Sequence, residues 1–327
     1  MSGNLAAEIL KCPAFSGRKQ KKAMRLDPQL TASNAGSFTL YFGTGLASTK
    51  EPSQGFGFEF LTTILSAIWL QQKFGFRAII HEISTVGFSI KEEEKAPLLQ
   101  QERTVVDRII SALGVSQHYE VIYSERYHED RRFHDIENIV ASKLSTLDGI
   151  PRFQDFKRYS ILQITGMRYL YETRMTRVKV GWITDAKVPP AAVSKEFLEP
   201  FIQKCVINEF YFDCLYRYVF PEDTYSFIYT PPGFNLINDF RGAPYTVTPS
   251  HIRPILGRDN LRTYLTRKDI MESTTHHTVI RQWQTMIVEM YEFTSGMSIP
   301  SSVAEDDEEE TVEKIQWIVD HLLGVPS

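Results

Sequence analysis

The chain has 327 residues, 43% of them hydrophobic and 23% charged, with a net charge of −4. That length and composition fit a globule with a sizeable core, and the slight acidity excludes polyanion binding by bulk charge alone. Three cysteines, Cys12, Cys205 and Cys214, exclude a disulfide framework, and no Cys/His spacing points to a metal site.

Residues 16–25 form a short basic segment containing Arg18, Lys19, Lys21 and Lys22. Such charges suit either a solvated leader or contact with an RNA phosphate backbone. Met1 to Phe15 lacks a charged-then-apolar signal pattern. The longest apolar stretch, Phe60 to Leu70, is too short to span a bilayer, so a cytoplasmic protein with no membrane partner is expected.

Ser37 to Phe42 reads as a strand, and Gly43-Thr44-Gly45 opens a polar loop behind it. Phe58 to Phe74 reads as an apolar helix, with Gly55-Phe56-Gly57 at its start. Phe76 to Ile83 is a near-continuous apolar strand, as expected where helices cover both faces of a sheet. Glu92 to Leu113 is helical and is closed by Gly114 as a C-cap. Tyr119 to Tyr123 is a strand, and Glu125 to Leu147 and Phe153 to Thr176 are helical. Val178 to Ile183 is a strand, Ser194 to Tyr218 a helix with Ser194 as its N-cap, and Tyr225 to Tyr229 a strand stopped by Pro231-Pro232-Gly233. Residues 261–272 and 276–293 look helical, Glu305 to Glu310 is an acidic link, and Thr311 to Leu323 is an amphipathic helix.

This alternation predicts an α/β fold: a Rossmann-like, doubly wound parallel sheet with helices on both faces. The expected organisation is a basic segment over 1–30, a Rossmann-like catalytic domain over 31–300, and an acidic linker with a C-terminal helix over 301–327. Such sheets bind ligands outside the carboxyl ends of their strands, so the strand-tip loops are where chemistry is sought. The loop from Gly43 is neither a GxGxxG fingerprint nor a Walker A motif, and no cofactor is implied.

Four segments together resemble the class I aminoacyl-tRNA synthetases of the tyrosyl/tryptophanyl branch. They are Phe38 to Gly45 with the helix at 57–73, the strand at 76–83, Tyr159-Ser-Ile-Leu-Gln163, and Val178-Lys-Val-Gly181-Trp-Ile-Thr-Asp185. The synthetase His-x-Gly-His motif is absent: that stretch reads Gln54-Gly55-Phe56-Gly57-Phe58. Thr266-Arg267-Lys268-Asp269 is a poor match to the second ATP signature, so donors for triphosphate chemistry are missing.

A synthetase fold without ATP equipment is similar to the cyclodipeptide synthases, and the length is closer to their divergent fungal, arginine-containing branch. That resemblance implies an aminoacyl-tRNA partner, no ATP, and a diketopiperazine product of secondary metabolism. It implies a hydroxyl nucleophile after the first strand, where Thr44 and Ser48 stand outside the family's Gly-x-Ser pattern. It implies a late-helix glutamate, matched by Glu209, and a tyrosine on the next strand, matched by Tyr229, although Cys205 and Thr230 replace two companion residues. An aminoacyl ester is already activated, so a hydroxyl could accept it, a carboxylate could hold the attacking amino group, and a phenol could relay a proton. Gly43 and Gly45 would border the substrate, and Tyr159 and Gln163, one turn apart, would line the amino-acid pocket. Glu82 and Asp185 suit a cationic substrate group. Arg18, Lys19, Lys21, Lys22, Arg131 and Arg132 are the candidate tRNA contacts, with no DNA partner expected. Two further readings stay open: a non-catalytic synthetase paralogue that binds tRNA or protein, and a Rossmann-fold transferase dependent on a nucleotide or S-adenosylmethionine.

Overall fold

In the computed structural model, residues 4–11, 24–43, 55–83, 92–182, 193–204, 209–230, 255–257, 287–300 and 307–323 are described. A short helix α1 (Leu5–Ile9) precedes strand β1 (Thr39–Gly43), the small strand β2 (Gly55–Gly57) and helix α2 (Phe58–Phe74). Then come β3 (Ala78–Ile83), α3 (Glu92–Ala112), β4 (Tyr119–Tyr123), α4 (Arg131–Leu144), α5 (Pro151–Thr173) and β5 (Thr176–Trp182). Helices α6 (Lys195–Lys204) and α7 (Glu209–Val219), strand β6 (Ser226–Thr230), the small strand β7 (Ile255–Gly257), helical residues 287–295 and helix α8 (Asp307–Leu323) follow.

The main sheet has five strands in the order β4-β3-β1-β5-β6, and every pairing is parallel. The chain winds outward through β1, β3 and β4, then returns to β5 beside β1. That return makes the β1/β5 boundary the topological switch point, where sheets of this kind open a crevice for ligands. The expected doubly wound sheet is thus present.

Apolar side chains alternate between the two faces. Leu40, Phe42, Ile79, Ile83, Val178, Val180 and Ile228 face one layer, built by α2, α3, residues 287–295 and α8. Tyr41, Ile80, Phe227 and Tyr229 face the other, built by α4, α5, α6 and α7. In the second layer α5 and α7 pack on β5 and α7 also on β6, and this layer carries the site.

Several boundaries differ from the expected ones. The single helix expected over 125–147 is broken at Asp130: Ser124–Glu129 is a 3-10 turn, and the Asp130 side chain caps α4 by accepting from the Arg132 N–H at 2.8 Å. The helix expected over 194–218 is two, α6 and α7, so Glu209 stands in a first helical turn rather than mid-helix. The Ser194 hydroxyl does cap α6, accepting from the Phe197 N–H at 3.3 Å. Gly114 closes its helix at a φ of 66°, as expected of a left-handed C-cap. Gly55–Gly57 is not only the entry to α2 but pairs antiparallel with Ile255–Gly257. Helix α8 starts inside the acidic run, at Asp307, where carboxylates favour an N-terminal turn over a solvated link. The helix expected over 261–272 lies outside the described residues.

Candidate functional site

On the α5/α7 side, strand register places polar groups in a row. Tyr41 is paired with Lys179 of β5 and with Ile80 of β3, and Gly43 is paired with Glu82. Lys179 has no solvent exposure, Glu82 is 3% exposed and Glu209 6%. Burying three ionisable side chains is costly unless each has a partner, and here Lys179 pairs with Glu209 while Glu82 accepts from Tyr41.

The Lys179 ammonium lies 2.6 Å from Glu209 Oε2. It also sits 5.0 Å from the Tyr41 ring centroid and 5.7 Å from that of Phe212, a cation–π arrangement on two sides. The Tyr41 hydroxyl donates to Glu82 Oε2. Burial, and then the Glu82 charge, push the Tyr41 phenol well above its usual range, so it remains a donor.

Glycines shape the space around these groups. A β-carbon on Gly181 would overlap the Cγ of Glu209 and stand 3.0 Å from its Cδ, so only glycine lets the carboxylate lie against β5. A β-carbon on Gly166 of α5 would lie 3.3 Å from Glu82 Oε1, and one on Gly43 would lie 3.6 Å from Glu82 Oε2. Tyr159, Gln163 and Gly166 form one stripe of α5, at i, i+4 and i+7. The Tyr159 ring meets Phe212 at 5.5 Å, and Gly166 meets Glu82. Gln163, 9% exposed, stands on that stripe between the two contacts, on the side of α5 that meets Phe212 and Glu82.

The structure thus brings Gly43, Glu82, Tyr159, Gln163 and Glu209 together at the carboxyl ends of β1, β3 and β5. Thr44, Gly45, Ser48, Asp185, Arg18, Lys19, Lys21 and Lys22 lie outside the described residues. Tyr229 is register-paired with Gly181, but its hydroxyl is committed to Asp213 Oδ2. Asp213 also meets Arg217 Nε at 3.0 Å and the Arg25 guanidinium at 3.5 Å. Tyr229 therefore belongs to a buried network that ties α7 to β6 and to the segment before β1, and its expected place as a proton relay has no geometric support. Burial and the Asp213 charge push its phenol well up.

Arg131 and Arg132 are exposed at the start of α4. Arg132 is paired with Glu172, at 2.6 Å from Nη2, which favours the acid-balanced face over a phosphate contact. Among the described residues no cluster of His, Cys, Asp or Glu could hold a metal ion, and no helix is long and apolar enough to cross a membrane.

Sequence reasoning did not single out Tyr41, Lys179 or Gly166, and it named Gly181 only within a segment that resembles the synthetases. Lys179 had a usable signal: a lysine inside an apolar strand of a parallel sheet has both faces covered and must find a buried partner.

No protein-family model matches the sequence, and a search of curated proteins finds no match. Solved structures do match. A tyrosyl-tRNA synthetase from Archaeoglobus fulgidus, complexed with L-tyrosine, aligns over 98% of this chain and 98% of its own, at 11% identity and a TM-score of 0.50. A tyrosyl-tRNA synthetase from Aeropyrum pernix aligns over 98% of this chain and 95% of its own, at 12% identity and a TM-score of 0.51. The likeness is one of fold: the chain carries the α/β architecture of these tyrosyl-tRNA synthetases.

Proposed function

We propose that this chain is a tRNA-dependent cyclodipeptide synthase, joining the aminoacyl groups of two aminoacyl-tRNAs into a diketopiperazine without ATP. The observation that carries the reading is the buried Lys179–Glu209 pair beside Tyr41 and Glu82 at the switch point. The fold is that of a structure complexed with L-tyrosine, so an amino-acid moiety is the natural ligand for the crevice. The sequence lacks the synthetase ATP motifs, and a pre-activated ester removes the need for them.

In this reading Glu209 receives the α-ammonium group of the attacking aminoacyl moiety and takes up its proton. The freed amine attacks the carbonyl carbon of the other aminoacyl ester. The new C–N bond replaces the C–O bond, and the proton goes to the departing oxygen. A second attack of the same kind closes the six-membered ring and releases the remaining ester oxygen. Thr44 or Ser48 would carry an acyl group between the steps. Gln163 and Tyr159 orient the amino-acid moiety. Glu82, held by Tyr41, is the acidic wall, which makes arginyl-tRNA the first substrate to test. Tyr229 holds Asp213 and thereby the seating of α7.

The test is incubation with a mixture of charged tRNAs and no ATP, followed by mass spectrometry for diketopiperazines. The wild type should give product, and Glu209→Gln should lose most of it. An absence of product from every charged tRNA, with tRNA binding intact, would favour the non-catalytic paralogue. Amino-acid-dependent exchange between pyrophosphate and ATP would replace the reading with a synthetase.

A further inference from the structure

Lys179 is costly where it stands. Withdrawing an ammonium from water carries a penalty of several kcal/mol even after relaxation, and exchanging a buried ion pair for apolar residues is often neutral or stabilising. A covered strand of a parallel sheet would ordinarily carry Val or Ile at such a position, as β5 does at Val178 and Val180. Folding alone therefore gives little reason for the lysine.

Glu209 supplies a reason. It lies against Gly181 on the α5/α7 face of β5, and its own neighbours Phe210 and Phe212 are buried. A carboxyl group in such surroundings alone takes up a proton readily, because burial disfavours its charged form. The ammonium 2.6 Å away reverses that preference, and the rings of Tyr41 and Phe212 steady the ammonium in turn. Gly181, two residues along the same strand face, leaves the space in which the carboxylate lies.

We propose that Lys179 is a positioning residue, which keeps Glu209 ionised and fixes its carboxylate over Gly181 to receive the α-ammonium group of an aminoacyl substrate. The proposal rests on the role given to Glu209 above. Several other charged or ionisable groups on the described elements around α7 have partners of their own. Tyr225, at the head of β6, feels the Glu209 and Glu82 charges and is pushed well up by burial. Tyr229 and Arg25 are taken by Asp213, one turn further along α7. Arg217 is taken by the same carboxylate. Tyr159 on α5 packs edge-on against Phe212. Arg168 on α5 pairs with Glu172 and Asp223, and Lys143 on α4 lies over Tyr218, both toward the far end of the helix. Lys179 is the cation whose ion pair with Glu209 the structure shows.

Two readouts test this. The first is independent of activity: carbon-13 NMR titration of labelled glutamate carboxyls, with Glu209 assigned by its loss in Glu209→Gln. Lys179→Met should raise the Glu209 midpoint by at least one pH unit. An unmoved midpoint overturns the proposal whatever the product assay gives. The second is the pH profile of diketopiperazine formation. Lys179→Met should cut the rate tenfold or more near pH 6 and return within about threefold of wild type near pH 8.5, because the acid limb follows Glu209 upward. A uniform loss at all pH values marks a merely structural lysine and also overturns it. If Lys179→Met does not fold, its double variant with Glu209→Gln, which removes both charges, should fold; failure of both places Lys179 in the folding core and ends the proposal. A moved midpoint in a wild type that makes no product leaves the Lys179–Glu209 coupling standing and removes only the reaction assigned to the site.

Discussion

Gly181→Ala tests the seat of the candidate site most sharply, because two opposite magnitudes compete there. Gly181 lies within a strand and has no left-handed backbone, so alanine suits its conformation. A strand glycine costs roughly 0.5–1 kcal/mol against alanine, so an isolated substitution should stabilise the fold by that amount. The new methyl group, however, overlaps Glu209 Cγ between a strand and a packed helix. Overpacking costs about 1–3 kcal/mol, and losing the Lys179 contact would push the total toward the ~3–5 kcal/mol seen when a buried pair is broken. Denaturant unfolding should therefore show Gly181→Ala destabilised by about 1–4 kcal/mol. Repeated in a Lys179→Met/Glu209→Gly background, which removes the overlapping Cβ and Cγ as well as the charges, the same substitution should be neutral or stabilising. Wild-type stability or better for the single variant would refute the seating of Glu209 on Gly181.

Three other outcomes follow from the geometry. Tyr41→Phe deprives the buried Glu82 carboxylate of its phenol donor and should cost about 1–3 kcal/mol by denaturant unfolding, and a neutral result would place Glu82 in another hydrogen bond. Tyr41 and Tyr229 have phenols raised well above their usual range, so the folded chain retains protons that the unfolded chain loses above about pH 10. Their contribution is complete below that pH and declines as pH rises further, at about 1.4 kcal/mol per unit per tyrosine. Alkaline unfolding followed by circular dichroism should therefore be shallower for Tyr229→Phe than for wild type. Arg25→Ala should destabilise by about 1–3 kcal/mol, since Arg25 donates to the Tyr225 carbonyl at 2.6 Å, approaches Asp213 and covers the Phe227 ring at 5.3 Å. An unchanged unfolding midpoint would show that the Arg25 side chain adds nothing to the backbone bridge that joins this segment to β6.

The periodicities of single segments were readable without a structure. Apolar runs at 38–42 and 78–83 could only be covered strands, and their alternation with helices demanded a parallel sheet. Glu209 was identifiable through the resemblance that matches it to a late-helix glutamate, and its neighbours Phe210, Tyr211 and Phe212 agree with a buried carboxylate that needs a partner. What remained hidden depended on register across long separations. Lys179 meets Tyr41 because β5 returns beside β1, and Gly166 meets Glu82 because α5 packs on the face of the sheet that Glu82 enters. Tyr229 pointed to catalysis by its spacing from Glu209, yet Asp213 claims its hydroxyl.

Local sequence thus determined the strands of the main sheet, most of its helices, where Gly114 and Ser194 cap helices, and that the architecture is doubly wound, though not the break at Asp130 or the division into α6 and α7. Tertiary structure decided which charges share a crevice, because an ion pair such as Lys179 with Glu209 has no local signature. Its two members lie thirty residues apart by number, and they come together through strand order and through the missing side chain of Gly181.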